Sequence, residues 1–139
     1  MTGRCYCGKT TFHSNRQPTI VSYCHCSDCR RLSGAPVAAF AAFPEDAVSF
    51  KPGLGAPVTH TPGVQRWFCA SCGTPLAAQY DYLPDQTYVP LGLMDQAEDL
   101  PPALHSHTGS QLAWLDIRDD LERHAGSGRA TLNTERAPK

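Results

Sequence analysis

The seven cysteines of this chain fall into three tight clusters, and their spacing is the pattern with the clearest chemical meaning. The clusters are Cys5-x-Cys7, Cys24-x-Cys26-x-x-Cys29 and Cys69-x-x-Cys72. Residues two apart on a strand point to the same face, and a Cys-x-x-Cys turn brings its two sulfurs together, so each cluster can chelate an ion. Four thiolates close a tetrahedral zinc site, whereas three leave one position open for water or a substrate. Seven cysteines therefore indicate one closed and one open zinc site.

Two divisions of the seven cysteines are compatible with these spacings. In the first, two cysteines of the middle cluster join the last cluster, as in a zinc ribbon, and three cysteines lack an obvious shared metal. In the second, the first and last clusters supply four ligands and the middle cluster binds an ion alone. We prefer the second, because a six-residue segment wraps an ion with little loss of loop entropy, and because both remaining pairs precede a glycine that can adopt positive φ. Its two sets are the quartet, Cys5, Cys7, Cys69 and Cys72, and the trio, Cys24, Cys26 and Cys29.

Other interpretations of the cysteines remain open at this point. An odd number of locally clustered cysteines does not suit a disulfide framework, and it favours metal binding in a reducing compartment. A thioredoxin-like redox pair at Cys69 would need a helix starting there, which Gly73 and Pro75 disfavour. The quartet could be merely buried, and the trio could be a second structural site closed by His25, although strand alternation points His25 away from Cys24 and Cys26.

Composition and charge narrow the class of protein. The chain has 139 residues, 41% hydrophobic and 18% charged, which is typical of one globular domain. A net charge of −1 without a long basic run gives no reason to expect nucleic acid as a partner. The sequence has neither a leader pattern at its start nor an apolar run of about 20 residues, so we expect a cytoplasmic protein that does not enter a membrane.

Propensities predict a mainly β fold. Candidate strands cover residues 9–13, 19–23, 37–43, 64–68, 76–80 and 87–92, with a turn at 81–86. Short helical turns are expected at residues 27–32, capped by Ser27, and at 95–100. We expect a single zinc-binding domain over residues 1–124 and a disordered polar tail over residues 125–139.

Three sequence blocks, residues 3–8, 23–36 and 66–76, resemble those of the glutathione-dependent formaldehyde-activating enzyme family, and weaker similarity at 91–95 and 112–115 extends the match to about residues 3–118. The resemblance implies an Mss4-like fold of small antiparallel β-sheets around two zinc ions. It implies that the quartet holds a structural zinc and the trio a catalytic zinc. It also implies a carbon–sulfur lyase that joins formaldehyde to glutathione as S-hydroxymethylglutathione.

The chemistry of the trio supports a thiol ligand. Three thiolates leave a zinc centre with a formal charge of −1, which makes it a poor activator of water and a good site for a soft sulfur. Glutathione or another small thiol would then attack formaldehyde or a related electrophile. A fourth thiolate needs nearby positive charge, so Arg30 or its neighbour Arg31 is expected to offset that charge or to pair with a glutathione carboxylate.

The candidate catalytic residues are accordingly Cys24, Cys26, Cys29 and Arg30. Among the histidines, His105 is the first candidate for an acid–base group, while Trp67 and Trp114 are expected in the core or a cleft. The alternative function is a zinc-stabilised module that binds or carries glutathione without catalysis.

Overall fold

Ten short strands and two short helices are present in residues 1–135, the part of the chain that the computed structural model describes. The strands are β1 (Thr2–Arg4), β2 (Thr11–Ser14), β3 (Ile20–Cys24), β4 (Ala38–Pro44), β5 (Val48–Lys51), β6 (Val64–Phe68), β7 (Pro75–Tyr80), β8 (Leu83–Pro90), β9 (Leu104–Ser106) and β10 (Glu122–Arg123). The helices are α1 (Ser27–Ser33) and α2 (Arg129–Glu135), and single 3₁₀ turns lie at Glu45–Ala47, Leu91–Leu93, Ala97–Asp99 and Thr108–Ser110. The prediction of a mainly β protein with few short helical turns is confirmed.

The strands form two sheets. The smaller sheet has the order β1-β2-β5 and is antiparallel throughout. The larger sheet has the order β10-β9-β3-β4-β8-β7-β6 and is antiparallel except at β9, which pairs in parallel with both of its neighbours. The strand that leads into the trio, β3, therefore lies inside the larger sheet, where β4 and β9 fix its position on both sides.

The strands rich in β-branched, aromatic or apolar residues lie close to where the sequence predicts them. Strand β6 covers the predicted residues 64–68, and β4 runs one residue later than predicted, up to Pro44. Ala41, Ala42 and Phe43 are fully buried, as a strand covered on both faces requires. Strand β8 begins at Leu83, so the predicted turn at 81–86 is shorter than expected.

Two apolar clusters pack on the larger sheet. The first includes Phe12 of β2 and Phe43 of β4, whose ring centroids lie 5.4 Å apart, so it joins the two sheets. The second includes Ala42 and Leu104. Neighbouring residues Ala42 and Phe43 belong to different clusters because successive strand residues face opposite ways.

The C-terminal part of the described chain differs from the predicted disorder of residues 125–139. Helix α2 forms within it, and its Leu132 is only 5% exposed and belongs to the second apolar cluster. The Gln86 side-chain amide donates to the Leu132 carbonyl, and the Arg129 guanidinium lies 5.3 Å from the Tyr82 ring centroid. One apolar residue and a few polar contacts thus order a segment whose composition is polar. Residues 136–139 lie outside the described residues, and no described helix is long and apolar enough to cross a membrane.

Close packing around β1 gives a prediction for Gly3. A Cβ atom at Gly3 would overlap the Leu93 carbonyl, whereas a Cβ at Gly92 would meet no atom within 4 Å. We expect Gly3→Ala to lower the free energy of unfolding by about 1–3 kcal/mol because the backbone must shift. Gly92→Ala is the matched control and should change it little. Denaturant titration measures both, and equal effects would contradict the assigned packing of β1.

Candidate metal centres

Two turns from different sheets bring the quartet together. Cys5 and Cys7 lie in the turn between β1 and β2, and Cys69 and Cys72 lie in the turn between β6 and β7. All four sulfurs lie within 4.8 Å of one another. The Cys5–Cys7 sulfur distance is 3.5 Å and the Cys7–Cys69 distance is 3.9 Å. A tetrahedral zinc with Zn–S bonds of about 2.3 Å places its sulfurs about 3.8 Å apart, so the quartet fits zinc.

The two turns have similar backbones. Gly8 has φ of 78° and donates its N–H to the Cys5 carbonyl over 3.0 Å. Gly73 has φ of 75° and donates to the Cys69 carbonyl over 2.8 Å. The left-handed conformation, which glycine adopts without steric cost, folds each turn back beneath its sulfurs.

Two threonines supply hydrogen bonds to the quartet. The Thr10 N–H donates to the Cys5 sulfur over 3.3 Å, and the Thr10 hydroxyl lies 3.8 Å from the Cys69 sulfur. The Thr74 hydroxyl lies 3.0 Å from the Cys72 sulfur, and this contact is the main cause that lowers the pKa of Cys72 to about 5. These donors stabilise thiolates, the form of cysteine that binds zinc.

The trio lies where β3 ends and α1 begins. Cys24 is the last residue of β3, whereas Cys26 and Cys29 lie at the start of α1, and their three sulfurs lie within 4.8 Å of one another. Cys29 is buried, and the other two are half-buried. Within residues 1–135, the metal-ligand grouping around these sulfurs contains no histidine, carboxylate or further cysteine.

Helix α1 is capped by sulfur rather than by the serine that the sequence favours. The Cys26 sulfur accepts the Cys29 N–H over 3.3 Å, so Cys26 is the N-cap and the predicted cap, Ser27, is the first helical residue. Gly34, with φ of 69°, ends the helix. The Cys26 side chain thus satisfies a backbone N–H of the first helical turn, and the same hydrogen bond brings Cys26 and Cys29 together.

The charges of the trio are strongly interdependent. Hydrogen bonds from Cys24 and then Cys29 lower the pKa of Cys26 to about 2. The same neighbours act in reverse on the other two thiols: Cys26 raises the pKa of Cys24 to about 11, and Cys24 and Cys26 raise that of Cys29. Three thiolates so close together repel each other, and a divalent cation between them removes that repulsion. The donor set thus fits zinc.

His25 takes part in a buried chain of hydrogen bonds instead of completing the trio. Its Nε2 lies 2.8 Å from Nδ1 of His105, and His105 Nε2 lies 2.8 Å from Oδ2 of Asp119. Both histidines are fully buried, and the Tyr23 ring stacks on His105 at a centroid distance of 4.7 Å. A closing role for His25 at the trio therefore has no support from its side-chain contacts.

The Asp119 carboxylate sets the donor–acceptor direction of this chain of hydrogen bonds. The Asp119 carboxylate accepts a hydrogen bond from His105 Nε2–H, so in the neutral tautomer of His105 the Nδ1 atom accepts a hydrogen bond from His25 Nε2–H. The hydrogen bond from His105 is the main cause that lowers the pKa of Asp119, and burial lowers the pKa of His25. His25 is thus neutral, and its Nδ1 has no hydrogen-bond partner within residues 1–135. Because both nitrogens of His105 are engaged, this predicted acid–base candidate has none left for a substrate.

Arg30 lies beside the segment that carries the trio. Its guanidinium donates to the His25 carbonyl over 2.9 Å and also to the carbonyl of Ser110. Arg31 is exposed. The structure thus places the guanidinium of Arg30, rather than that of Arg31, against the backbone of the segment that carries the trio.

The remaining candidates are scattered. Trp67 is buried, as expected, and its indole N–H donates to the Gly55 carbonyl over 3.2 Å. Trp114 was expected in the core or a cleft, but its exposed fraction is 70%, because it lies in a stretch without strand or helix. The thioredoxin-like alternative needs a helix at Cys69, and a turn between strands stands there instead.

Several residues around the sulfurs were missed by sequence reasoning. Thr10 and Thr74 each lie five residues after the first cysteine of their turn, so that repeated spacing was a usable signal. Asp119 and Ser110 carry no such signal. Their contacts with His105 and Arg30 come from tertiary packing alone.

The fold and sulfur geometry define a mainly β protein with two cysteine clusters suited to metal ions. A family model, "Glutathione-dependent formaldehyde-activating enzyme", matches residues 1–110, and the chain belongs to this family. A crystal structure of a Rhodobacter sphaeroides protein is similar to this fold, with a TM-score of 0.54 and 23% identity over 68% of this chain and 88% of that chain. No curated protein matches the chain.

The buried histidine pair gives a prediction for stability. His105→Phe keeps an aromatic ring but removes both hydrogen bonds, so His25 Nε2 loses its partner in a buried position. We expect the free energy of unfolding to fall by about 1–3 kcal/mol. His60→Phe at an exposed position is the control. Denaturant unfolding at neutral pH measures the stability of both variants. An unchanged unfolding midpoint for His105→Phe would refute the hydrogen bonds assigned to the histidine pair.

Proposed function

We propose that this protein is a zinc-dependent enzyme of the carbon–sulfur lyase type, which binds glutathione or a similar small thiol at the trio and adds it to formaldehyde or a related electrophile. In this proposal the quartet holds a structural zinc, and Cys24, Cys26 and Cys29 hold a catalytic one. Family membership supports the reaction class. The clustering of seven cysteines into four and three supports the division of roles.

The observation that carries the proposal is the composition of the trio. Three sulfurs converge, and no fourth metal-ligating group of residues 1–135 joins them. The residue best placed by sequence to close the site, His25, is bound to His105 instead. Three protein ligands are the arrangement of catalytic zinc sites, which keep one position for substrate.

The thiolate charges favour sulfur as the added ligand. Zinc together with the three thiolates of the trio would have a formal charge of −1. Such a centre would be a poor activator of bound water and a better site for a soft thiol, whose pKa it would lower. The chain's own residues then orient the reactants. In the addition, the thiol loses its proton, its sulfur bonds to the carbonyl carbon, and the carbonyl oxygen gains a proton, which gives a hemithioacetal.

Arg30 supplies positive charge beside the trio. One nitrogen of its guanidinium binds the His25 and Ser110 carbonyls, and a guanidinium has further N–H groups. We propose that Arg30 holds this segment in place and that its charge offsets the added thiolate or pairs with a glutathione carboxylate. All seven cysteines are free, which suits the reducing cytoplasm as the site of action.

Substitution of the trio tests the enzyme directly. We expect two zinc ions per chain in the native protein and one in Cys26→Ser, because a serine hydroxyl is a poor zinc ligand. Hemithioacetal formation from glutathione and formaldehyde should fall to the uncatalysed rate in this variant. Metal analysis and a stopped-flow or exchange-NMR assay measure the two quantities.

Cys72→Ser provides the contrast, since Cys72 is also half-buried but belongs to the quartet. This variant should lose folding stability as well as metal. If glutathione binds the native protein but the rate equals that without protein, the chain is a carrier and the enzyme proposal is wrong. If Cys26→Ser keeps both zinc ions, the assignment of the trio is wrong.

Replacing Arg30 tests its role. Arg30→Ala should weaken glutathione binding about tenfold or more, because a charge-assisted hydrogen bond contributes roughly 1.5–3 kcal/mol. Arg31→Ala, which removes an equal charge at an exposed neighbouring position, should change binding by less than about twofold. Calorimetric titration measures affinity, and thermal melting verifies folding. Equal affinities for both variants would exclude Arg30 from the site.

A further inference from the structure

An apolar cavity of about 360 Å³ adjoins the trio. It lies among α1, β4, β6 and β7, and Cys29 forms part of its wall. Bulky apolar side chains contribute much of the remaining wall: Leu32, Val37, Phe40, Trp67, Phe68 and Pro75. Several alanines, Ala39 among them, widen it. The cavity is thus continuous with a proposed metal ligand but is not needed to hold the metal.

The lining does not match glutathione. Among residues 1–135, Arg66 is the one charged residue in the cavity wall, and its guanidinium already lies 5.8 Å from the Tyr80 ring centroid. Glutathione has two carboxylates, an ammonium group and two amides, but no apolar side chain. Burying those groups against hydrocarbon would leave them without hydrogen bonds, at a large cost. The tripeptide therefore fits the polar side of the trio, near Arg30, better than this cavity.

Formaldehyde does not match the cavity either. A water molecule occupies about 30 Å³ of liquid, and formaldehyde is not much larger, so it would leave most of the volume empty. The volume falls within the range of about 300–1,000 Å³ that small-molecule sites occupy, and such sites are mostly apolar with few polar groups. The cavity thus suits a molecule with a ring or a branched alkyl group.

Tyr80 adds to the apolar character of the wall next to the trio. Tyr80 lines the cavity, and burial raises the pKa of its hydroxyl, which therefore stays neutral. A neutral aromatic wall beside Cys29 favours an uncharged substituent there.

We propose that the electrophile of this protein is an aldehyde with an apolar ring or branched alkyl group, which fills the cavity while its carbonyl carbon faces the trio. This inference rests on the proposed function and specifies its second substrate. The thiol sulfur bonds to the carbonyl carbon, the carbonyl π electrons move to oxygen, and the oxygen takes the proton that the thiol loses. No oxidant or reductant is needed.

A filled cavity tests the proposal. Ala39→Phe places a ring in the cavity, and Ala103→Phe makes the same change in a separate cavity of about 460 Å³. The rates are measured with zinc-loaded protein and glutathione. The ratio of the catalysed to the uncatalysed rate should be larger for cyclohexanecarbaldehyde than for formaldehyde. Ala39→Phe should lower the rate with the ring aldehyde by about tenfold or more, while that with formaldehyde changes by less than about twofold. Ala103→Phe should change neither.

Binding without reaction gives an independent measurement. Trp67 lines the cavity, and Trp114, the other tryptophan, is 70% exposed. In a Trp114→Phe background, cyclohexylmethanol, which cannot form a hemithioacetal, should change the Trp67 fluorescence saturably. Ala39→Phe should abolish that change. If Ala39→Phe does not fold, Val37→Trp in the same wall replaces it, and binding is then followed by ligand-observed NMR.

The outcomes separate this inference from the proposed function. If formaldehyde is accelerated but the ring aldehyde is not preferred and the cavity variant has no selective effect, the inference is overturned and the enzyme proposal stands. If cyclohexylmethanol binds in the cavity but no aldehyde is accelerated, the enzyme proposal fails, and with it the assignment of the cavity to an electrophile. Preference for the ring aldehyde, lost on filling the cavity, supports both.

Discussion

The convergence of four sulfurs from two turns is the constraint on which the rest of the fold depends. The turn with Cys5 and Cys7 belongs to the three-stranded sheet, and the turn with Cys69 and Cys72 belongs to the edge hairpin of the seven-stranded sheet. The quartet therefore lies where the two sheets meet. Cys5 and Cys69 are almost fully buried and belong to the apolar cluster between the sheets. Four thiolates in such a place would repel each other strongly without a cation, so metal binding and the packing of the two sheets are coupled. The Gly8 and Gly73 turns provide the backbone shape that this convergence needs.

The trio is built on a different principle, because its ligands come from one short segment. That segment is held from three directions. Strands β4 and β9 flank β3, and the buried chain of hydrogen bonds through His25, His105 and Asp119 anchors its middle. Arg30 connects the His25 carbonyl to the Ser110 carbonyl of the 3₁₀ turn at Thr108–Ser110. These contacts fix the backbone while the sulfurs themselves stay half-buried or buried at the edge of an apolar cavity. A rigid frame around an incomplete set of ligands is the arrangement that substrate-binding metal sites need.

Local sequence was sufficient to predict the two cysteine sets and the strands that lead into them. Spacing alone favoured the division into quartet and trio, and the geometry brings those same sulfurs together. Strand β6 was predictable because β-branched and aromatic residues run directly into Cys69. Contacts between distant segments were not predictable. Asp119 is 14 residues from His105 and 94 from His25 along the sequence. The spacing of these residues does not predict that they form a chain of hydrogen bonds. Helix α2 was missed for a similar reason, since one leucine, Leu132, anchors a stretch that is otherwise polar.

The separation of the cysteines along the chain has a consequence for the order in which the two proposed sites could take up metal during synthesis. All ligands of the trio lie within six residues and emerge from the ribosome together, so a nascent chain can already capture an ion there. Cys7 and Cys69 are 62 residues apart, and their turns meet only after both hairpins exist. With metal in both proposed sites, the trio would therefore be complete early in synthesis and the quartet only after the two hairpins have met.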